Sequence, residues 1–210
     1  VAAGTAIIAT TTLFIYDESS TTPNCSTEES VTITINDTPI VDDLADQEIC
    51  DTYTLPTITG VNLTGSQSYF TAINGSGTEF KDASTLSETT TLFIYDETRR
   101  TPNCESAEQT VTIVVNKTPE VTALADQVAC HNYELPIITG TNLSGGEKYY
   151  LDNAGGGGAY VSGNSITSNV TLHLYDATGT GNMCADEEIV VLEIIPELQG
   201  FMESEQDCEL

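Results

Sequence analysis

Apolar and polar residues alternate along this chain in short runs, and the same runs keep returning. Val111, Ile113 and Val115 alternate with Thr112 and Val114; Val31, Ile33 and Ile35 alternate with Thr32 and Thr34. A period of two over such a run predicts a half-buried β-strand. In Leu92-Phe93-Ile94-Tyr95 the predicted inward pair is Leu92 and Ile94. Leu13/Ile15 and Leu172/Leu174 keep those places aliphatic, whereas Phe14 and Phe93 give way to His173. Upstream lie Tyr53-Thr54-Leu55-Pro56 and Tyr133-Glu134-Leu135-Pro136, then Ile58-Thr59-Gly60 and Ile138-Thr139-Gly140, then Tyr69-Phe70 and Tyr149-Tyr150. Helical periodicity is weak throughout. About six or seven short, threonine-rich strands per unit, broken by glycine turns, predict an all-β, Ig-like sandwich of two sheets.

The recurrence has a measurable period. Thr10–Glu18 and Thr89–Glu97 are the same nonapeptide, and a looser copy runs Leu172-His173-Leu174-Tyr175-Asp176. Leu92 to Leu172, Cys104 to Cys184, Cys50 to Cys130 and Pro39 to Pro119 are each 80 residues apart. A fixed interval of this kind is the signature of a repeat array. The expected domains are residues 1–36 (the back half of a repeat), 37–116 and 117–195 (complete repeats) and 196–210 (the start of another). Entry in mid-unit at Val1 and the restart at Cys208 predict a piece of a longer protein. The junctions Asn36-Asp37-Thr38-Pro39 and Asn116-Lys117-Thr118-Pro119 are short and carry proline, which predicts a semi-rigid string.

Charge narrows the partners. There are 32 Asp and Glu against five Lys and Arg, a formal net charge of −27. Neutralising phosphates with such a surface is unfavourable, which excludes nucleic-acid binding and disfavours anionic membranes. No apolar run is long enough to span a bilayer. Six cysteines recur at matched positions without C-x-x-C pairs or clustered histidines. Disulfides in an oxidising, extracellular compartment are therefore expected, and zinc is not.

Three disulfide maps are open. Cys50 to Cys104 and Cys130 to Cys184 are each 54 residues apart, one pair per repeat. That pairing ranks first; it leaves Cys25 and Cys208 to partners outside the chain, and each bond is worth about 4 kcal/mol on the chain-entropy estimate. A second map (Cys25–Cys50, Cys104–Cys130, Cys184–Cys208) uses every cysteine, but it must bridge two strands' length. A third joins Cys50 to Cys184. It is favoured by the tendency of the turn after a sandwich's first strand to lie opposite the loop before its last.

Candidate chemistry is sparse. His131 and His173 stand where the preceding repeat has Asp51 and Phe93, so neither is a repeated feature. No nucleophile-elbow or phosphate-loop spacing occurs, and no enzyme activity is expected. Among the acids, Asp46 and Asp126 recur, as do Asp17, Asp96 and Asp176, while Asp42 and Asp43 do not. Calcium needs six to eight converging oxygens, and one recurring carboxylate supplies too few. Calcium is the only cofactor left open, and none is expected. The Asp after Tyr reads as a turn former bonded to its own backbone. Asn-x-Ser/Thr triplets begin at Asn24, Asn36, Asn62, Asn74, Asn116, Asn142 and Asn169, and they matter only where the source glycosylates them.

The composite text Cys-x-x-Tyr-x-Leu-Pro, Ile-Thr-Gly-x-Asn-Leu, Leu-x-x-Tyr-Asp, Asn-x-Cys and Val-Thr-Ile resembles a tandem Ig-like repeat of very long surface proteins of Bacteroidota, especially flavobacteria. The resemblance covers essentially the whole chain. It implies a cell-surface or gliding-motility adhesin exported by the type IX secretion system. It also implies a spacer role in a stalk or filament, with Cys50/Cys104 and Cys130/Cys184 as staples. Partners would be neighbouring repeats and copies of the chain itself. The alternative is a module that grips a glycan or protein through exposed aromatic or acidic loops, with Tyr69/Phe70 and Tyr149/Tyr150 as candidates for a shared apolar patch; full burial of those four residues favours the spacer.

Overall fold

The computed structural model describes residues 4–196, and everything below concerns those residues. Strands β1 (Thr11–Glu18) and β2 (Ser26–Ile33) form an antiparallel hairpin with Leu13 opposite Val31. Five strands follow: β3 (Gln47–Cys50), β4 (Ser68–Ala72), β5 (Ser76–Phe80), β6 (Thr90–Tyr95) and β7 (Gln109–Asn116). They form one sheet in the order β3-β7-β6-β4-β5. The next text copy repeats the plan with β8 (Gln127–Cys130), β9 (Lys148–Asp152), β10 (Gly156–Tyr160), β11 (Val170–Thr178) and β12 (Cys184–Ile195), in the order β8-β12-β11-β9-β10.

Each sheet is antiparallel except at one edge. There β3 runs parallel to β7, Ile113 opposite Gln47 and Asn116 opposite Cys50. Likewise β8 runs parallel to β12, Leu192 opposite Gln127 and Ile195 opposite Cys130. The remaining layer is made of two-residue ladders: Ile40–Val41 with Gly60–Val61 and Tyr53–Thr54 with Thr85–Leu86 in one copy, Glu120–Val121 with Gly140–Thr141 and Tyr133–Glu134 with Ser165–Ile166 in the next. The glycine of each Ile-Thr-Gly text is required there. A Cβ on Gly60 or Gly140 would lie 2.0 or 2.1 Å from the carbonyl oxygen of Ile40 or Glu120.

The predicted alternation holds. Leu92 and Ile94 are buried while Phe93 is half-buried, and Val111, Ile113 and Val115 are buried between half-buried neighbours. In the later copy Leu172, Leu174, Val190, Leu192 and Ile194 pack against Val121, Leu135, Ile138, Tyr149 and Ile166 from the ladders and β9, forming one core between the layers. Burying such aliphatic and aromatic side chains is the main stabilising term. The chain is therefore all-β and sandwich-like.

The β1–β2 hairpin differs, although its text is the same. Ile15 is 64% exposed where Ile94 is 2%, and Val31 is 45% exposed where Val111 is 0%. Among the described residues β2 is bonded to β1 alone. Contacts gather the chain into two compact units. Of the described residues, one comprises 4–46, 54–85 and 90–112, the other 47–53, 86–89 and 113–196.

Candidate functional site

The chemistry that recurs is the cysteine junction, and in the second unit it is closed. Cys50 is disulfide-bonded to Cys184, with Cα atoms 5.6 Å apart and 134 residues between them in sequence. This overturns the first-ranked map. Cys50 does not pair with Cys104, which is a free, half-buried thiol, and Cys184 is not available to Cys130. Cys130 is itself in a disulfide, Cys25 is a free, exposed thiol, and Cys208 lies outside the described residues.

Strand direction is the physical reason. Because β3 runs parallel to β7, Cys50 ends up beside Asn116, the last residue of β7. Cys104 precedes the first residue of that strand, Gln109, so the two sulfurs belong to opposite ends of an eight-residue strand. At about 3.3 Å per residue that is far beyond the reach of a disulfide, whose Cα atoms stand about 6 Å apart.

A polar clamp surrounds the bond. The Glu48 carboxylate, two residues before Cys50, accepts the Thr180 N–H at 2.8 Å and Asn116 Nδ2 at 2.8 Å through the same oxygen. Gly179 (φ 77°) makes this approach feasible: a Cβ there would stand 2.9 Å from Asn116 Nδ2 and 3.3 Å from Glu48 Oε1. One residue after Cys50, Asp51 accepts the Thr118 N–H at 2.9 Å and its hydroxyl at 2.8 Å, while Thr178 Oγ1 donates to Lys117 O. Bonds from Thr180 and then Asn116 hold the Glu48 carboxyl below its usual range, and bonds from Thr118 do the same for Asp51. His131 takes the Asp51 place, sharing its left-handed turn (φ 68° and 63°) and donating its N–H to Ile195 O at 2.9 Å.

The other recurring acids serve as acceptors for backbone elsewhere in the fold. Asp96 and Asp176 are 1% and 2% exposed. Asp96 Oδ2 takes the Thr64 N–H at 2.8 Å and Asp176 Oδ2 the Ser144 N–H at 2.6 Å, and the Thr64 and Ser144 hydroxyls bond the other oxygen. The reading of this Asp as a local turn former is incomplete: Asp96 Oδ1 accepts the N–H of the adjacent Glu97 at 3.0 Å, but the Thr64 and Ser144 partners of Asp96 and Asp176 lie 32 residues upstream. Asp46 Oδ1 and Asp126 Oδ1 accept the N–H groups of Thr112 and Val191 on the last strand of each sheet, at 2.7 and 2.8 Å. Sequence spacing marked these residues as repeated but carried no sign of their partners. Among the described residues no cluster of three or more His, Cys, Asp or Glu is placed to hold a metal.

The aromatic pairs are inward. Tyr69, Phe70 and Tyr149 are buried and Tyr150 half-buried, so they form no exposed patch. Tyr69 and Tyr149 donate to Pro56 O and Pro136 O at 3.0 Å, and burial pushes the Tyr149 hydroxyl up to about 12. Phe70–Tyr95 and Tyr150–Tyr175 meet edge to face at 6.3 and 5.9 Å. His173 Nδ1 lies 2.9 Å from Glu187 Oε1.

No family profile and no curated protein matches this sequence. Solved structures of similar chain course are multidomain. Extracellular cadherin domains 3–6 of protocadherin gamma B2 match at 12% identity over 90% of this chain and 59% of theirs, with a TM-score of 0.35. The I-band fragment I67–I69 of titin matches at 10% identity over 75% and 66%, with a TM-score of 0.39. Human CDH23 EC21–23 matches at 13% identity over 81% and 68%, with a TM-score of 0.38. The chain thus spans about three fifths of the protocadherin fragment it matches. No helix among the described residues is long and apolar enough to cross a membrane.

Proposed function

We propose that this chain is a structural, adhesive spacer of an extracellular repeat protein, a disulfide-stapled segment of a stalk or filament. The observation that carries the reading is the Cys50–Cys184 bond, which joins one copy of the repeated text to the next. Nearest-neighbour links of this kind give a repeat array stability as a sum over units and junctions. Inward-facing Tyr69 and Tyr149 leave the rival binding-module reading without its aromatic patch. The text resemblance extends the proposal to a Bacteroidota cell-surface or gliding-motility adhesin exported by type IX secretion, with neighbouring repeats and copies of itself as partners. Single-molecule pulling tests it. Under oxidising conditions the 134 residues between the sulfurs stay hidden from force. Reduction is expected to release up to about 480 Å of extra contour at about 3.6 Å per residue. Equal contour lengths before and after reduction would overturn the spacer mechanism.

A further inference from the structure

The first unit holds the same junction in an unfilled form. Cys104 is the counterpart of Cys184, and Asn36, three residues past β2, is the counterpart of Asn116. The two are already in place: the Cys104 thiol donates to Asn36 O at 3.5 Å, and Asn36 Nδ2 donates to Pro102 O at 2.6 Å. Beside them opens a pocket of about 360 Å³ lined by Asn36, Asp37, Asn62, Thr64, Arg99 and Arg100. In the second unit the corresponding donors, Asn116 Nδ2 and the Thr180 N–H, hold the carboxylate of Glu48. Here their places are taken by Asn36 Nδ2 and the Arg100 N–H, and two of the chain's five cations stand at the site.

The strand edge tells the same story. Residues 113–116 of β7 and 192–195 of β12 each receive a parallel, four-residue strand ending in cysteine. The matching residues 33–36, at and just past the end of β2, receive none among the described residues, and Ile35, counterpart of buried Val115, is 38% exposed.

We propose that this edge and pocket form a socket for the opening strand of a further repeat of the same text. The opening strands of the chain read Asp46-Gln47-Glu48-Ile49-Cys50 and Asp126-Gln127-Val128-Ala129-Cys130, and the occupant proposed is of the first, glutamate-bearing type. It would lie parallel to β2 with its Asp on the Thr32 N–H, its Glu on Asn36 and Arg100, and its cysteine bonded to Cys104. Each contact copies one already made in the chain, by Asp46 on Thr112, by Glu48 on Asn116 and Thr180, and by Cys50 on Cys184. The proposal rests on the array reading and names the partner of this strand edge. Covalent closure is a thiol–disulfide exchange. The Cys104 thiolate attacks the partner's sulfur held as a mixed disulfide with glutathione; one S–S bond forms, one breaks, and glutathione leaves as thiolate.

The test uses the whole chain and a synthetic peptide of residues 44–54 whose cysteine carries glutathione. Adduct formation is followed by mass spectrometry, with Cys25, free and exposed, as the internal reference. The peptide is expected at Cys104 in preference to Cys25. Replacing its glutamate by alanine should slow capture at Cys104 about tenfold, the worth of hydrogen bonds to a charged acceptor. Equal rates for the two peptides, or preferential capture at Cys25, overturn the socket. The pulling experiment reads disulfides already closed in the chain and does not read the free thiol of Cys104, so failure of the socket and failure of the spacer reading are separable.

Discussion

Replacing both Cys50 and Cys184 by serine removes the one staple whose two ends are described, without leaving a stray thiol. The bond closes a loop of 134 residues. On the chain-entropy estimate this constrains the unfolded chain by about 5 kcal/mol, and measured losses run about 2–5 kcal/mol. Little else hydrophobic is lost with it: Cys184 is 2% exposed, but the packed face of the second unit lies on Leu172, Leu174, Val190 and Leu192. The clamp of Glu48 and Asp51 stays, together with the β3–β7 pairing and the Asp51 N–H bond to Asn116 O. With a urea slope of about 2 kcal/mol per molar, the midpoint of the second unit should fall by about 1–2.5 M. The assay is equilibrium urea unfolding of the oxidised wild type, the reduced wild type and the double variant. The reduced wild type should fall at least as far as the double variant, since reduction also opens the disulfide of Cys130. A shift below about 0.3 M, within ordinary extrapolation error, would refute the argument that loop closure stabilises this unit. So would non-reducing peptide maps joining Cys50 to Cys104.

Further outcomes follow from the clamps. Asp176→Ala should destabilise the second unit by about 3 kcal/mol, because Ser144 loses its charged acceptor in a buried site. Exposed Asp17, the same text position, should tolerate alanine within about 0.5 kcal/mol; equal losses at both would refute the tether. Tyr149→Phe removes the bond to Pro136 and should cost about 1 kcal/mol in the same urea assay. The Tyr149 hydroxyl is raised from 10.0 to about 12, so its contribution is complete below pH 10 and lost as pH climbs from 10 towards 12. Alkaline titration of tyrosine absorbance should show late-ionising groups, with Tyr95 also raised to about 12, and Tyr149→Phe should remove one of them. Glu48 and Asp51 are lowered from 4.5 and 3.8, so their stabilisation is present above those values and lost as pH falls below them. Glu48→Gln should flatten the acid limb of a stability–pH profile, and an unchanged limb would refute its role.

Much of this protein is legible without coordinates. Val111-Thr112-Ile113 and Leu92-Phe93-Ile94 announce strands and name their inward residues, because side chains alternate faces in any extended strand. The interval from Cys104 to Cys184 announces the array. What the text does not carry is the direction in which a short strand pairs. Gln47–Cys50 has the same alternation whether it runs parallel or antiparallel to β7, yet that choice places Cys50 at Asn116 and far from Cys104. The geometric argument over sandwich ends pointed to Cys184, but equal spacing within a repeat outranked it. The aspartates behave the same way. Repetition marks Asp96 and Asp176 as wanted, but only folding brings in Thr64 and Ser144 from 32 residues away. Period and polarity are local properties of a chain, and a one-dimensional pattern holds them. A crosslink or a buried carboxylate needs two distant segments to meet, and the tertiary structure alone decides which.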